Sequence, residues 1–433
     1  MARIPFHIGR NSSRFVLPAI LLALLAALLN GCSTNLNRNT AASRPPLIRV
    51  RLLLGQEQLT IIASQPPVYR TESDPTPHLL ALPRNSPVVI TLTAGGWRIG
   101  ATILGSGVLT IQPAVEGSVA IAPMPTAADK QPTARTYRGD FRLVPVPQSK
   151  FDVINQVDIE GYLAGVLPRE LPRGWHEETY KAQAIVARTY ALYEKGYGTG
   201  RYWDVFSDER SQVYGGMIDE TDKSRSAVNQ TQGVVVAFGS EGQERIFKAY
   251  YSSCCGGISQ DASEVFGESP NGPMPAQNNH AACNASPRFN WGPVVISKVE
   301  LTRRIQAWGI AKKKAVKDIG PIKEVALQSL NLFGRPTRFS ITDAKGFLYS
   351  LPAEEFRGAC NWDSDKTTPP AKLFSSFVKV ITDTDSIRFV EGHGLGHGVG
   401  LCQWCSENYA DQGWHDVDII MAAYPHAVLV KAY

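Results

Sequence analysis

Thiols and imidazoles carry the densest chemistry in this chain. Cys254 and Cys255 are adjacent, Cys283 and Cys360 follow, and Cys402-Gln-Trp-Cys405 closes the series, with His280, His393 and His397 among them. Groups of these types at these spacings either pair as disulfides or hold a metal. A lone C-x-x-C in an oxidising compartment favours disulfides. Zinc would need four ligands to converge, for example His393, His397, Cys402 and Cys405, aided by His280 or Cys283. The expectation is therefore disulfides, with fifteen connectivities open for six cysteines, and neither a metal nor a cofactor. The repeated His-Gly pairs of 392–400 do not make a dinucleotide loop, because no strand–loop–helix context follows them. Glycine there can equally serve tight backbone turns. Lys181 and Arg188 lie seven residues apart and share one helix face, which suits a paired carboxylate, an anionic ligand or solvent.

The compartment is read from the start of the chain. Arg3, Arg10 and Arg14 form a positive segment, no acidic residue occurs in 1–31, and 15–29 is apolar throughout. That run is too short for a comfortable membrane span. It ends in Leu29-Asn-Gly-Cys32, which resembles a bacterial lipoprotein signal whose cysteine is acylated and becomes the new N-terminus. An uncleaved anchor and an ordinary secretory signal are the alternatives. The expectation is an extracytoplasmic protein held to a cell membrane (periplasmic face or outer membrane) by a lipid on Cys32. Residues 32–46 are polar, end in Pro45-Pro46, and read as a flexible tether. The formal charge of +5 falls to +2 once the three leader arginines are set aside, so nothing argues for nucleic acid as a partner. With 43% hydrophobic residues over 433 positions, the chain can build two or three structural units.

Elements able to position the chemistry follow from periodicity. Ile48, Val50 and Leu52 alternate with Arg49 and Arg51, and similar runs recur at 59–62, 88–92 and 108–111, broken by Gly95-Gly96 and Gly105-Ser-Gly107. This predicts a small β-rich N-terminal region over 47–133, of packing or positioning role, with a Pro- and Ala-rich seam at 123–133. Residues 137–143 alternate again. A helix is predicted over 176–195, with Glu177 and Glu178 in the first turn, Lys195 in the last and Gly196 as a stop. Its Ala182, Ala184, Ala187 and Ala191 form a small-residue surface suited to close packing. A second helix is expected at 297–308, and strands at 325–330, 338–341 and 377–381. No internal repeat is visible.

Four ordered motifs then resemble one family. They are Val166-Leu-Pro-Arg-Glu170-Leu-Pro172 continuing into Lys181-Ala-Gln183-Ala-Ile-Val-Ala-Arg188-Thr-Tyr190, then Gln212-Val-Tyr-Gly-Gly216. The others are Ala249-Tyr-Tyr251-Ser-Ser-Cys-Cys255-Gly-Gly257 and Gly396-His397-Gly-Val-Gly-Leu-Cys402-Gln403-Trp404, with Gly413 and Tyr424-Pro425 downstream. Together they resemble the sporulation stage II protein D (SpoIID) and LytB amidase-enhancer domain family over 137–433. The resemblance and the patterns imply an α+β fold, mixed α/β in detail: a β-rich body carrying the helix of the catalytic motif. It implies that Glu170, in Glu-Leu-Pro for the family's Glu-Met-Pro, is the catalytic acid. Lys181, Gln183 and Arg188 would line the substrate pocket, facing Tyr251, Ser252, His397 and Gln403. Cys255 and Cys402 would lie near each other and brace the two walls by a disulfide, with Cys254 and Cys255 taking different partners. The zinc-binding His-Cys-Gln-Val-Tyr segment of some members reads Arg210-Ser-Gln-Val-Tyr214 here, with Val205 where another cysteine is needed, so that site is absent.

The function so implied is a peptidoglycan lytic transglycosylase. It would cut MurNAc–GlcNAc strands, preferably stripped of peptides, with 1,6-anhydroMurNAc formation. One carboxyl suffices, because the sugar's C6 hydroxyl replaces the second group that glycoside hydrolysis needs. Such an acid must stay protonated near neutral pH, for which Val166, Leu167, Leu171 and Trp175 offer an apolar setting. The competing reading is a non-catalytic, glycan-binding enhancer of a separate cell-wall amidase. A weaker third is a metal-dependent amidase built on the His/Cys cluster.

Overall fold

Alternation in Leu47–Gln56 turns Ile48, Val50 and Leu52 inward. That strand pairs antiparallel with Lys150–Asp158 and parallel with Val205–Phe206. The computed structural model describes residues 44–433 other than 101, 116, 125–128, 130–131, 199, 271 and 364–370. The expected leader, Cys32 and nearly all of the tether lie outside the described residues. The three strands belong to a seven-stranded sheet that continues through Asp140–Val146, Leu109–Gln112, Val68–Thr71 and His78–Leu79. A six-stranded sheet runs Arg135–Tyr137, Val119–Ala122, Gln58–Ala63, Pro87–Thr93, Gly96–Ile99 and Thr102–Ile103. The two sheets bury one shared apolar core, in which Trp97 meets Phe151 edge-on at 5.1 Å. Strands from both sides of the expected 123–133 seam thus interleave, because Leu47–Gln56 lies between Lys150–Asp158 and Val205–Phe206.

The chain leaves Lys150–Asp158 directly into the helix Ile159–Glu170, capped by Asp158, whose side chain accepts from the Gly161 N–H at 2.8 Å. The resemblance implies a helix of the catalytic motif, whereas local pattern predicts one only at 176–195; the helix that carries Glu170 is this separate one ahead of it. Gly161, Gly165 and Pro168 read as breakers, yet packing overrides their propensity. Gly165 is needed for close approach: a Cβ there would sit 2.8 Å from the Tyr214 ring and 2.9 Å from the Gly216 carbonyl. The helix stops because Leu171 precedes Pro172, and a residue before proline avoids the helical region; Leu171 is extended, with φ −124° and ψ 140°. Glu170 is thereby the last helical residue.

The long helix Glu177–Tyr197 buries Ala182, Ala184, Ala187 and Ala191, as the small-residue surface predicted. It packs on Asp222–Gln230, Gln403–Asp411 and Asp416–Ala423. A separate core joins the helices Lys298–Lys312 and Ala353–Cys360 to the strands Ile322–Leu330, Pro336–Asp343 and Leu348–Pro352. The helix and strands expected at 297–341 are present, and the 377–381 run begins its strand at Lys379–Thr382. The fold is α+β, with the helices grouped against several mainly antiparallel sheets. Among the described residues no helix is long and apolar enough to cross a membrane.

Candidate active-site cleft

Glu170 lines a cleft of about 480 Å³ together with Tyr251, Ser252, His397 and Gln403. Two short strands assemble the wall facing the acid: Tyr251–Ser252 pairs in parallel with Leu401–Cys402, placing Gln403 at the start of the helix Gln403–Asp411. The Val213 N–H donates to Glu170 Oε1 at 3.0 Å. Tyr251 Oη accepts from Gln212 Nε2 at 3.2 Å, which frees its own proton to point at Glu170. The buried Gln403 Nε2 has no close partner of its own and also acts on that carboxyl.

Burial dominates the electrostatics of Glu170 and raises its carboxyl above the usual carboxylate range. The Val213 N–H hydrogen bond, with the Tyr251 hydroxyl and the Gln403 amide beside the carboxyl, pulls the other way without cancelling it. No cation pairs with Glu170 among the described residues. His397 accepts from the Val399 N–H through Nδ1 at 3.0 Å, and burial pushes its pKa down to about 4, so it is neutral at ordinary pH. Ser252 Oγ is buried without a hydrogen-bond partner. Such a site can deliver one proton to a bound oxygen and take it back, while three neighbouring groups stabilise the carboxylate formed between.

The other pocket candidates fall elsewhere, which corrects the sequence reading. Arg188 is fully buried and forks onto Glu160, with Nε–Oε1 at 3.1 Å and Nη2–Oε2 at 2.6 Å; its remaining donors meet the Val228 and Val234 carbonyls. Lys181 pairs with Glu178 at 2.8 Å, one helical turn away on the same face. Gln183 is sealed in the helix packing with neither amide atom hydrogen-bonded. None of the three lines the cleft.

Residues the sequence reading did not single out complete the walls. Tyr250 and Phe266 stack at 4.0 Å and 12° and present aromatic surface to the cleft. Lys248, held by Glu194 at 2.8 Å, and Glu209 line it as well. Tyr250 lies inside a quoted motif and Lys248 borders it, a signal that could have found them; Phe266 carried none.

The cysteines also depart from expectation. Cys255 and Cys402 are adjacent, the Cys255 N–H lying 3.2 Å from Cys402 Sγ, but all six cysteines among the described residues carry unbridged thiols. Four sulfurs gather together, so the pairwise disulfides expected are not formed. The histidines of the alternative zinc reading do not join them: His397 faces the cleft, and His393 packs against Phe289 and Phe377. Backbone needs account for the glycine run, since Gly394, Gly396, Gly398 and Gly400 all have positive φ, between 69° and 93°.

An α+β body thus presents a desolvated carboxyl, Glu170, at a helix end in a cleft. Residues 147–238 match the model of the Stage II sporulation protein family, SpoIID. The match contains Glu170 and the Gln212–Gly216 motif but ends before Tyr251. An uncharacterized protein of Brachyspira hyodysenteriae is 28% identical over 301 residues, covering 69% of this chain and 73% of that protein. The amidase enhancer of Bacillus subtilis is 24% identical over 301 residues, covering 62% of this chain and 40% of its own length.

Proposed function

We propose that this protein acts on bacterial cell-wall glycan as a peptidoglycan lytic transglycosylase, with Glu170 as its acid–base residue. The reading rests on one observation: a carboxyl lifted by burial at the floor of a cleft, with donors ready for its ionised form and no paired cation. Glu170 donates its proton to the glycosidic oxygen as the bond from that oxygen to the MurNAc anomeric carbon breaks. The C6 hydroxyl of the same MurNAc attacks that carbon and returns its proton to Glu170, leaving a 1,6-anhydro ring and a free GlcNAc hydroxyl. Val213, Tyr251 and Gln403 stabilise the carboxylate between the two steps, and the stacked Tyr250 and Phe266 offer apolar faces for sugar rings. The substrate places the protein outside the cytoplasm, with acylated Cys32 as its membrane anchor.

A second reading, a glycan-binding enhancer of a cell-wall amidase, draws on the similarity to the Bacillus subtilis amidase enhancer. Incubation of the purified protein with peptide-stripped glycan separates them. Fragments ending in 1,6-anhydroMurNAc, lost in Glu170→Gln, support the enzyme. Reducing-end MurNAc would instead mean hydrolysis by water, with Glu209, which also lines the cleft, as the candidate second carboxylate. If the wild type cuts nothing and stimulates an added amidase no better than Glu170→Gln does, the enhancer reading stands.

A further inference from the structure

Cys255, Cys283, Cys402 and Cys405 converge from three distant parts of the chain. All four are buried, and their sulfurs lie within 4.8 Å of one another. Cys255 Sγ is 3.6 Å from Cys283 Sγ and 3.8 Å from Cys405 Sγ. A tetrahedral zinc with Zn–S bonds of about 2.3 Å sets its sulfurs about 3.8 Å apart. An iron–sulfur cluster, whose thiolates bind different irons, would spread them farther.

The surroundings suit thiolates rather than neutral thiols. Cys402 stands at the N-cap of the helix Gln403–Asp411 and Cys405 in its first turn, where the helix dipole favours negative charge. The Cys255 N–H donates to Cys402 Sγ, and Asn279 Nδ2 to Cys255 Sγ at 3.3 Å. Outer hydrogen bonds of this kind orient metal ligands. Four thiolates on a divalent ion leave a net charge of about −2, which needs a buried counter-charge. Arg335 supplies one. It is fully buried, donates from Nη1 to the Cys255 and Ile258 carbonyls at 2.7 Å each, and forms no ion pair with a carboxylate among the described residues. Gly398 makes room for it, since a Cβ there would lie 2.2 Å from Arg335 Nη1. The remaining cysteines are excluded by position: Cys360 is in the separate core, and Cys254 Sγ is directed at the Cys283 carbonyl.

We infer that Cys255, Cys283, Cys402 and Cys405 hold one zinc ion as a closed, structural tetrathiolate site. Binding releases the thiol protons and leaves no open coordination position, so the ion takes no part in the chemistry of the cleft. Its role is mechanical. Tyr251 and Ser252 lie just before Cys255, and Gln403 lies between Cys402 and Cys405, so the ion ties together the segments that form the wall facing Glu170. The site is distinct from the segment Arg210–Tyr214 and stands whether the cleft cuts glycan or only binds it.

The test is the metal content of the purified full chain by inductively coupled plasma mass spectrometry, with thiol alkylation under denaturing, non-reducing conditions. The expected result is about one zinc per chain, released as a mercurial titrates four thiols, and the same four cysteines alkylated when the chain is unfolded with a chelator. Cobalt replacing zinc should give the visible spectrum of tetrahedral thiolate coordination. Cys405→Ser and Cys283→Ser should lower zinc at least tenfold, whereas Cys360→Ser and Cys254→Ser should keep it. Because a ligand variant can fail to fold, Cys405→His, which preserves a donor, is expected to retain zinc and fold. Metal-free wild type with these cysteines paired as disulfides would overturn the inference, as would stoichiometric iron or zinc unchanged in Cys405→Ser.

Discussion

At the first turn of the helix Ile159–Glu170, Glu160 meets the guanidinium of Arg188, the Gly233 N–H and the Tyr433 hydroxyl. At its last turn Glu170 meets a backbone N–H, a tyrosine and an amide, and pairs with no cation among the described residues. The same side chain on the same helix is structural at one end and chemically poised at the other. What differs is the compensation for burial. Glu160 is compensated by a forked arginine, whereas Glu170 is desolvated beside dipoles and the like charge of Glu209, which favours its proton. Residue type and helix position do not separate the two; the partner does.

The largest effect should come from removing the proton at the poised end. Glu170→Gln should lower glycan cleavage on the order of a hundred- to ten-thousandfold, read as anhydro product by mass spectrometry, while circular dichroism shows an intact fold. At the structural end, Arg188→Met strands a buried carboxylate and should cost about 3–5 kcal/mol in urea unfolding. A loss under about 1 kcal/mol would dissolve the distinction between the two ends.

Finer changes sharpen it. Tyr251→Phe removes a donor that favours the carboxylate, so the Glu170 pKa should rise further. The alkaline limb of the pH–activity profile should then move upward, with a roughly ten- to hundredfold loss of rate. Stability offers an independent reading of the same group. A folded-state pKa raised above the unfolded value means the native protein holds the proton more tightly. That contribution is complete below the unfolded pKa and is lost as pH rises through the folded one. Thermal melts should therefore show wild type losing stability relative to Glu170→Gln as pH climbs above the ordinary carboxylate range; a wild type that gains on the variant would contradict the raised pKa. Smallest of all, Lys181→Ala should change unfolding by less than about 1 kcal/mol and leave cleavage intact, since its surface pair with Glu178 is partly solvated.

Arg188 shows where reading the chain stopped short. Its place on a helix face with Lys181 was legible, and so was the demand for a carboxylate or an anion. Which of these it met depended on Glu160, 28 residues away on a helix that Gly161, Gly165 and Pro168 disguised. The disulfide expectation failed for a related reason. Counting cysteines and knowing the compartment favours pairs, but only packing brings Cys255 and Cys405, 150 residues apart, to 3.8 Å beside two further thiols.

Resemblance of ordered motifs singled out Glu170 and, with the patterns, the α+β class; local pattern by itself determined the strand alternation of Leu47–Gln56 and the long alanine-faced helix. Each of these depends on residues a few positions apart, where the periods of 2.0 and 3.6 act directly. Tertiary structure alone decided the partner of Arg188, the desolvation of Glu170 and the meeting of four sulfurs. Burial and charge compensation are properties of what the folded chain packs around a group, and they leave no periodic trace in the order of its residues.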